Sequence, residues 1–236
     1  MARTATSETL ASHVYGQIRA DILSGELPPG TRLKPGELRI RFGVSVSVVR
    51  EALSRLAEQR IVQSVQNQGF QVTPLSKKDL ADLTDIRVQV EGYALRRAIE
   101  RGDIAWESRV VAAHHTLSAT PGRLPEQPDR TSDAWAQAHR DFHHTLVQAC
   151  DMPVLLDICS SLFDASELYR RLSAPFTAGH RDVPHEHREL MEAALARDAD
   201  LALERLEFHF RQTTSLLLEQ LLNVGWSESP NEAASA

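Results

Sequence analysis

From Lys77 onward the chain carries no run of period-two alternation, while apolar stripes at helical spacing recur six times between short breaks. The stripes fall at about 78–101, 103–119, 132–149, 153–172, 183–198 and 200–223. The interruptions are "RGD", "TPGRLPEQPDRT", "DMP", "SAPFTAGHRDVP" and "ARDAD". Pro153 suits the first turn of its helix. Two-thirds of the chain can therefore bury apolar surface only helix against helix. An all-α antiparallel bundle over residues 76–224 is predicted, with residues 225–236, "GWSESPNEAASA", as a disordered tail.

The front end reads differently. Leu10, Val14, Ile18 and Ile22 define a first amphipathic helix over 9–24, which "GELPPGTRLKPG" ends. A short helix "ELRIRFG" closes at Gly43, and Ser45 is a suitable N-cap for a third helix, "VSVVREALSRLAEQR". Val49, Leu53, Leu56 and Ala57 mark its buried face. "RIVQSVQNQGFQVTPL" alternates loosely around "QNQG", the pattern of a two-stranded hairpin. Three short helices and a hairpin are the order of a winged helix-turn-helix, here residues 1–75, with Pro74 to Ser76 as a short linker. The fold class is mainly α.

Composition is ordinary for a globular chain of 236 residues, 42% hydrophobic and 25% charged. No run of about 18 apolar residues predicts a membrane span, and the N-terminus has no signal-peptide core. Two cysteines without a CxxC pairing point to free thiols in a reducing cytoplasm. The net charge of −6 hides an asymmetry. Residues 1–75 hold nine Lys/Arg and six Asp/Glu, net +3; the remainder holds 17 and 26, net −9. If a polyanion is a partner, the front end is what meets it.

The ten histidines are the other feature. His13, His114, His115, His144 and His180 fall on flanks, helix ends or loops. Others interrupt apolar stripes. In the 132–149 helix, His139 and His143 lie in line with Trp135, Ala138, Phe142, Leu146 and Ala149. His187 heads a face with Leu190, Met191 and Ala194, and His209 lies between Leu206 and Thr213. Unpartnered buried imidazoles cost about 1–3 kcal/mol each, so something must satisfy them. On the residues alone two readings stand: hydrogen-bonded core histidines, or a divalent metal held by an i, i+4 pair plus two more nitrogens, zinc first, with nickel or another transition metal as alternatives. Arg87 breaks the stripe Leu80, Leu83, Val90, Ala94, and a buried arginine wants an anion. That anion is either Glu91, four residues on, or an external carboxylate.

"IRADILSGELPPGTRL", "GVSVSVVREALSRLAEQRIV" and "GFQV", at their mutual spacings, resemble the GntR family of bacterial transcription regulators. "DIRVQVEGYAL", "FHHTL", "HREL" with "AALARDAD", and "FHFRQTTSLL" are similar to the FCD domain, the effector-binding half of the FadR-like subgroup. Two positions depart from the family pattern: Val46 stands where arginine is usual, and His139 where aspartate is frequent. The resemblance implies a DNA-binding regulator, a repressor on family grounds, acting as a homodimer on a palindromic double-stranded operator. It implies a metal held by His139, His143, His187 and His209, and a small organic-acid effector for which Arg87 is the candidate anchor. In a winged helix-turn-helix the second helix of the motif enters the major groove N-terminus first. Ser45, Val46, Ser47 and Arg50 are then the groove-facing residues. Arg50 is a bidentate reader of guanine, and Val46 offers contact only to a thymine methyl. Gln66, Asn67, Gln68 and Gly69 form the wing tip, and Arg32, Arg39 and Arg41 are candidates for phosphate contacts. The alternatives are a metal-dependent hydrolase and a regulator that senses the metal itself. No HExxH, nucleophile elbow or phosphate loop accompanies the histidines.

Overall fold

The computed structural model describes residues 2–65, 69–123, 126, 130–173 and 181–222. The first unit is built from α1 (Ala2–Leu23), β1 (Arg32–Leu33), α2 (Pro35–Phe42), α3 (Val46–Glu58), β2 (Val62–Val65) and β3 (Gly69–Val72). α1 begins earlier than the apolar pattern predicts, and its buried face is Ala11, Val14, Ile18 and Ile22. Leu10 is 42% exposed. At 100° per residue it sits about 120° round from Ile22, whereas Ala11 is only about 20° away, so strict spacing of four walks off the buried face. α2 ends on Gly43 at φ 65°, ψ 30°, the left-handed C-cap that glycine adopts without strain. Ser45 caps α3 by accepting the Val48 N–H. Val48, Val49, Ala52, Leu53 and Leu56 are buried there; Ala57 is only partly so.

The predicted two-stranded hairpin is the larger part of a three-stranded antiparallel sheet, order β1-β3-β2. Arg32 pairs with Gln71 and Leu33 with Phe70. Two residues are too few for alternation to reveal a strand, and here β3 recruits them. Pro74, Leu75 and Ser76 are buried rather than an exposed linker. The Ser76 hydroxyl accepts the Asp79 N–H and so caps the next helix.

The remaining elements are α4 (Lys77–Arg101), α5 (Ile104–Ala119), α6 (Asp133–Gln148), α7 (Pro153–Ser173), α8 (Val183–Leu195) and α9 (Ala199–Leu222), each within a few residues of its predicted span. Asp103, Ser132 and Asp182 cap the starts of α5, α6 and α8. Among the described residues no strand follows Lys77, and no helix is long and apolar enough to cross a membrane. The predicted tail, 225–236, lies outside the described residues. Among the described residues two apolar clusters organise the fold. One surrounds Trp106, Phe142, Leu146 and Leu190 within the bundle. The other joins Val14, Ile18, Leu53 and Leu56 of the first unit to Leu80, Leu83, Leu168 and Tyr169 of α4 and α7.

Candidate metal centre and nucleic-acid interface

α6, α8 and α9 bring His139, His143, His187 and His209 to one point. One nitrogen from each lies within 4.8 Å of the others. The i, i+4 spacing puts His139 and His143 on one face of α6, with ring centroids 4.6 Å apart. His187 and His209, from α8 and α9, are also 4.6 Å apart. All four are at most 4% exposed. Trp135 stacks on His139 at 4.8 Å, and Phe142, Phe163 and Phe210 close the sides. Burial in this aromatic shell, first of all, drives all four imidazoles well below their ordinary pKa and holds them neutral, the form that ligates metals.

Hydrogen bonding bears on both readings of these histidines. His139 Nδ1, His143 Nε2 and His187 Nε2 are buried and without a hydrogen-bond partner. Such unpartnered nitrogens, on histidines whose ligand atoms lie within 4.8 Å of one another, could hold a metal ion. His209 is oriented from behind. Its Nδ1 lies 2.9 Å from Glu186 Oε2. Arg181 Nη2 lies 3.0 Å from the same nitrogen; in the tautomer that donates Nδ1–H to Glu186, Nε2 is the lone-pair nitrogen, the outer-shell arrangement common to metal-bound histidine. Arg181 pairs with Glu186 and donates to the His209 carbonyl at 2.8 Å, tying the start of α8 to α9. Neither Glu186 nor Arg181 stands out in the sequence, since each acts through a neighbour that only the fold supplies.

Arg87 is buried as expected, and its anion is internal. Nε meets Glu91 Oε1 at 2.6 Å, Nη2 meets Oε2 at 3.4 Å, and the guanidinium lies 3.8 Å from the Phe210 ring centroid. Three more arginine–carboxylate pairs surround the histidines: Arg140–Asp164, Arg170–Glu167 and Arg181–Glu186. A cavity of 240 Å³ opens onto His143 beside Glu91, Arg140, Cys159 and Phe163. Burial pushes the Cys159 thiol up to about 12, so it is no thiolate ligand, and Cys150 and Cys159 are both free. His13, His115 and His144 are exposed, His114 packs edge-on against Phe142, and His180 lies outside the described residues.

At the other end, Ser45, Val46, Ser47 and Arg50 share the exposed start of α3. Arg50 makes no ion pair among the described residues. Ser45 is already engaged, accepting the Val48 N–H and sharing a 2.8 Å hydrogen bond with Ser47. Arg32 and Arg39 are exposed; Arg41 is spoken for by Asp21 at 2.7 Å. Gly69 has φ +87°, a turn conformation that L side chains rarely adopt. Gln66, Asn67 and Gln68 lie outside the described residues.

Comparison with known proteins bears on both ends. Residues 10–72 match the model for bacterial regulatory proteins of the gntR family, and residues 82–212 match the FCD domain. The chain is 39% identical over 213 residues to the uncharacterized HTH-type transcriptional regulator BphR of Paraburkholderia xenovorans, covering 90% of this chain and 87% of that one. It is 32% identical over 199 residues to the HTH-type transcriptional repressor GlaR of Escherichia coli, covering 83% and 90%. In fold it is similar to the E. coli McbR/YncC structure, with TM-score 0.70, 22% identity, and 89% and 98% coverage. These matches set the hydrolase alternative aside. The matches along both segments, to a helix-turn-helix front end and an FCD helical bundle, place this chain in the GntR family: it is a DNA-binding transcriptional regulator and not an enzyme.

Proposed function

We propose that the chain is a cytoplasmic repressor whose operator affinity is set by a small carboxylate bound beside a divalent metal in the helical domain. The division of labour is residues 1–75 for DNA and 76–224 for metal and effector. The observation that carries this reading is the set of three buried, partnerless imidazole nitrogens converging with His209 from three helices. Their chemistry fits a first-row divalent ion, zinc before nickel, because all four donors are neutral nitrogens of a type zinc favours. Bound there, the cation would supply positive charge and Lewis acidity among the aromatic rings and arginine–carboxylate pairs that surround the histidines. His139, His143, His187 and His209 hold it, Glu186 orients His209, and Trp135, Phe142, Phe163 and Phe210 exclude water. Arg87 is the arginine the family pattern offers to an acid, and Glu91 would have to yield it.

DNA reading falls to Arg50, with Ser45, Ser47 and Val46 in the major groove. Arg32, Arg39 and Arg41 serve phosphates, and Gln66, Asn67, Gln68 and Gly69 form the wing tip. One such module makes a small interface, so a homodimer on a two-fold operator is the working assembly. Several relatives are named repressors, which supports that sign of regulation.

Metal analysis of the purified protein tests the centre. About one ion per chain is expected in the parent and little in the His143→Ala, His187→Ala double variant; equal content in both removes the metal site. Titrating operator binding with metal and chelator at fixed carboxylate then distinguishes acid sensing from metal sensing.

A further inference from the structure

Arg140 stands between two cavities. The 240 Å³ cavity reaches His143 and the Phe163 ring. A second, of 680 Å³, runs between α1 and the α6–α7 pair and reaches Arg19 and Asp164. Arg140 lines both. It follows His139 on α6 and stacks over Phe163 with its guanidinium 4.8 Å from the ring centroid. That ring also flanks His139 at 5.6 Å and His143 at 6.0 Å.

The Arg140 guanidinium pairs with Asp164 Oδ1 on α7, a carboxylate only 3% exposed. Arg19, on the first helix of the DNA module, reaches the same oxygen at 3.7 Å. A buried carboxylate thus holds two arginines, one from the histidine-bearing helix and one from the DNA module. Arg87 is engaged by Glu91 through two nitrogens and does not line the 240 Å³ cavity; Arg140 does. Of the acidic groups on that wall, Glu91 is paired with Arg87, while Asp141, an exposed and charged carboxylate, accepts only from the Gln137 amide at 2.9 Å among the described residues.

We infer that Arg140 exchanges partners. A carboxylate entering the 240 Å³ cavity takes the Arg140 guanidinium, Asp164 is left to Arg19 alone, and the hold of α7 on α1 changes. A buried charge that loses one of two partners forces its surroundings to readjust, and the element on the far side of Asp164 is α1. This inference rests on the effector site proposed above, puts Arg140 in place of Arg87 as the residue that receives the acid, and names the path by which the DNA module senses it.

The zinc-loaded full chain, probed with acetate, tests it. Acetate binding is read by calorimetry and operator binding by fluorescence anisotropy. The parent is expected to bind acetate, and acetate to shift its operator affinity about threefold or more. Arg140→Gln is expected to bind acetate about tenfold more weakly, as loss of a charge-assisted pair implies, at unchanged zinc content. Arg19→Gln, at a position outside the acetate cavity, is expected to bind acetate as the parent does while its operator affinity no longer responds. Parent-like acetate binding by Arg140→Gln overturns the inference, as does an acetate response that survives in Arg19→Gln. Should Arg140→Gln fail to fold, Arg19→Gln alone decides the link. A zinc-loaded parent that binds no acetate instead refutes the effector site itself.

Discussion

His139 occupies a position where the family often has aspartate, and the difference is chemical as well as steric. An aspartate adds a negative charge to three imidazoles; a histidine leaves four neutral donors, all buried and none protonated at neutral pH. The consequence for the metal-free protein has a definite sign. Each imidazole has a folded-state pKa depressed below its unfolded value near 6.5, so the unfolded chain binds more protons at acid pH. Stability is fully present above that value and is lost as pH falls through it, with a slope of up to about 1.4 kcal/mol per pH unit for each group. Chelator-treated protein melted between pH 7.5 and 5 is expected to lose stability steeply below pH 6.5, and His143→Ala to flatten the curve. A melting temperature insensitive to pH over that range would contradict buried neutral imidazoles.

Capping and close packing decide the elements. Ser45, Ser76, Asp103, Ser132 and Asp182 each accept a backbone N–H three residues on, so the helix starts are written locally and easily read. The α4–α5 corner is different. Gly102 ends α4, and a Cβ there would collide with the indole of Trp106, which is fully buried, and meet the Ala98 carbonyl oxygen at 2.8 Å. Gly102→Ala is therefore expected to cost about 1–3 kcal/mol through overpacking, although its φ of −60° suits alanine. Urea unfolding followed by tryptophan fluorescence checks this, and a parent-like midpoint would mean that the corner can shift. The sequence marks "RGD" only as a break; why glycine is needed there depends on a tryptophan held in place by the Thr145 carbonyl on another helix.

At the scale of the whole molecule, the DNA module and the bundle share one apolar cluster, from Ile18 and Leu53 through Leu75 to Leu168. A shared core couples unfolding, so a single thermal transition is expected by calorimetry; two separated transitions would show that this contact is weak. Ser45, Val46, Ser47 and Arg50 are exposed at the start of α3. Arg50→Ala is expected to weaken operator binding by about 1–3 kcal/mol at the contacted base pair and to relax preference there, with the metal content unchanged. A gel shift with unaltered affinity would remove Arg50 from the reading surface.

The order of elements, the helical body, the winged front end and the four inward histidines were all legible from residue spacing, because periodicity and caps are local properties of the chain. The same spacing indicated that His139 and His143 point one way together, but it could not show that His187 and His209 meet them, since that requires α8 and α9 to pack against α6. Leu10 and Ala57 were misplaced because a stripe of fixed step drifts round a helix of 3.6 residues per turn. β1 was too short to leave a pattern, and the Pro74–Ser76 segment looked like a linker because its burial depends on what packs over it. Tertiary structure alone decided which nitrogens go unpartnered, that Arg87 spends its charge on Glu91, and that Asp164 joins Arg140 to Arg19. Each of these is a relation between residues far apart in the chain, and no local pattern encodes the distance between them.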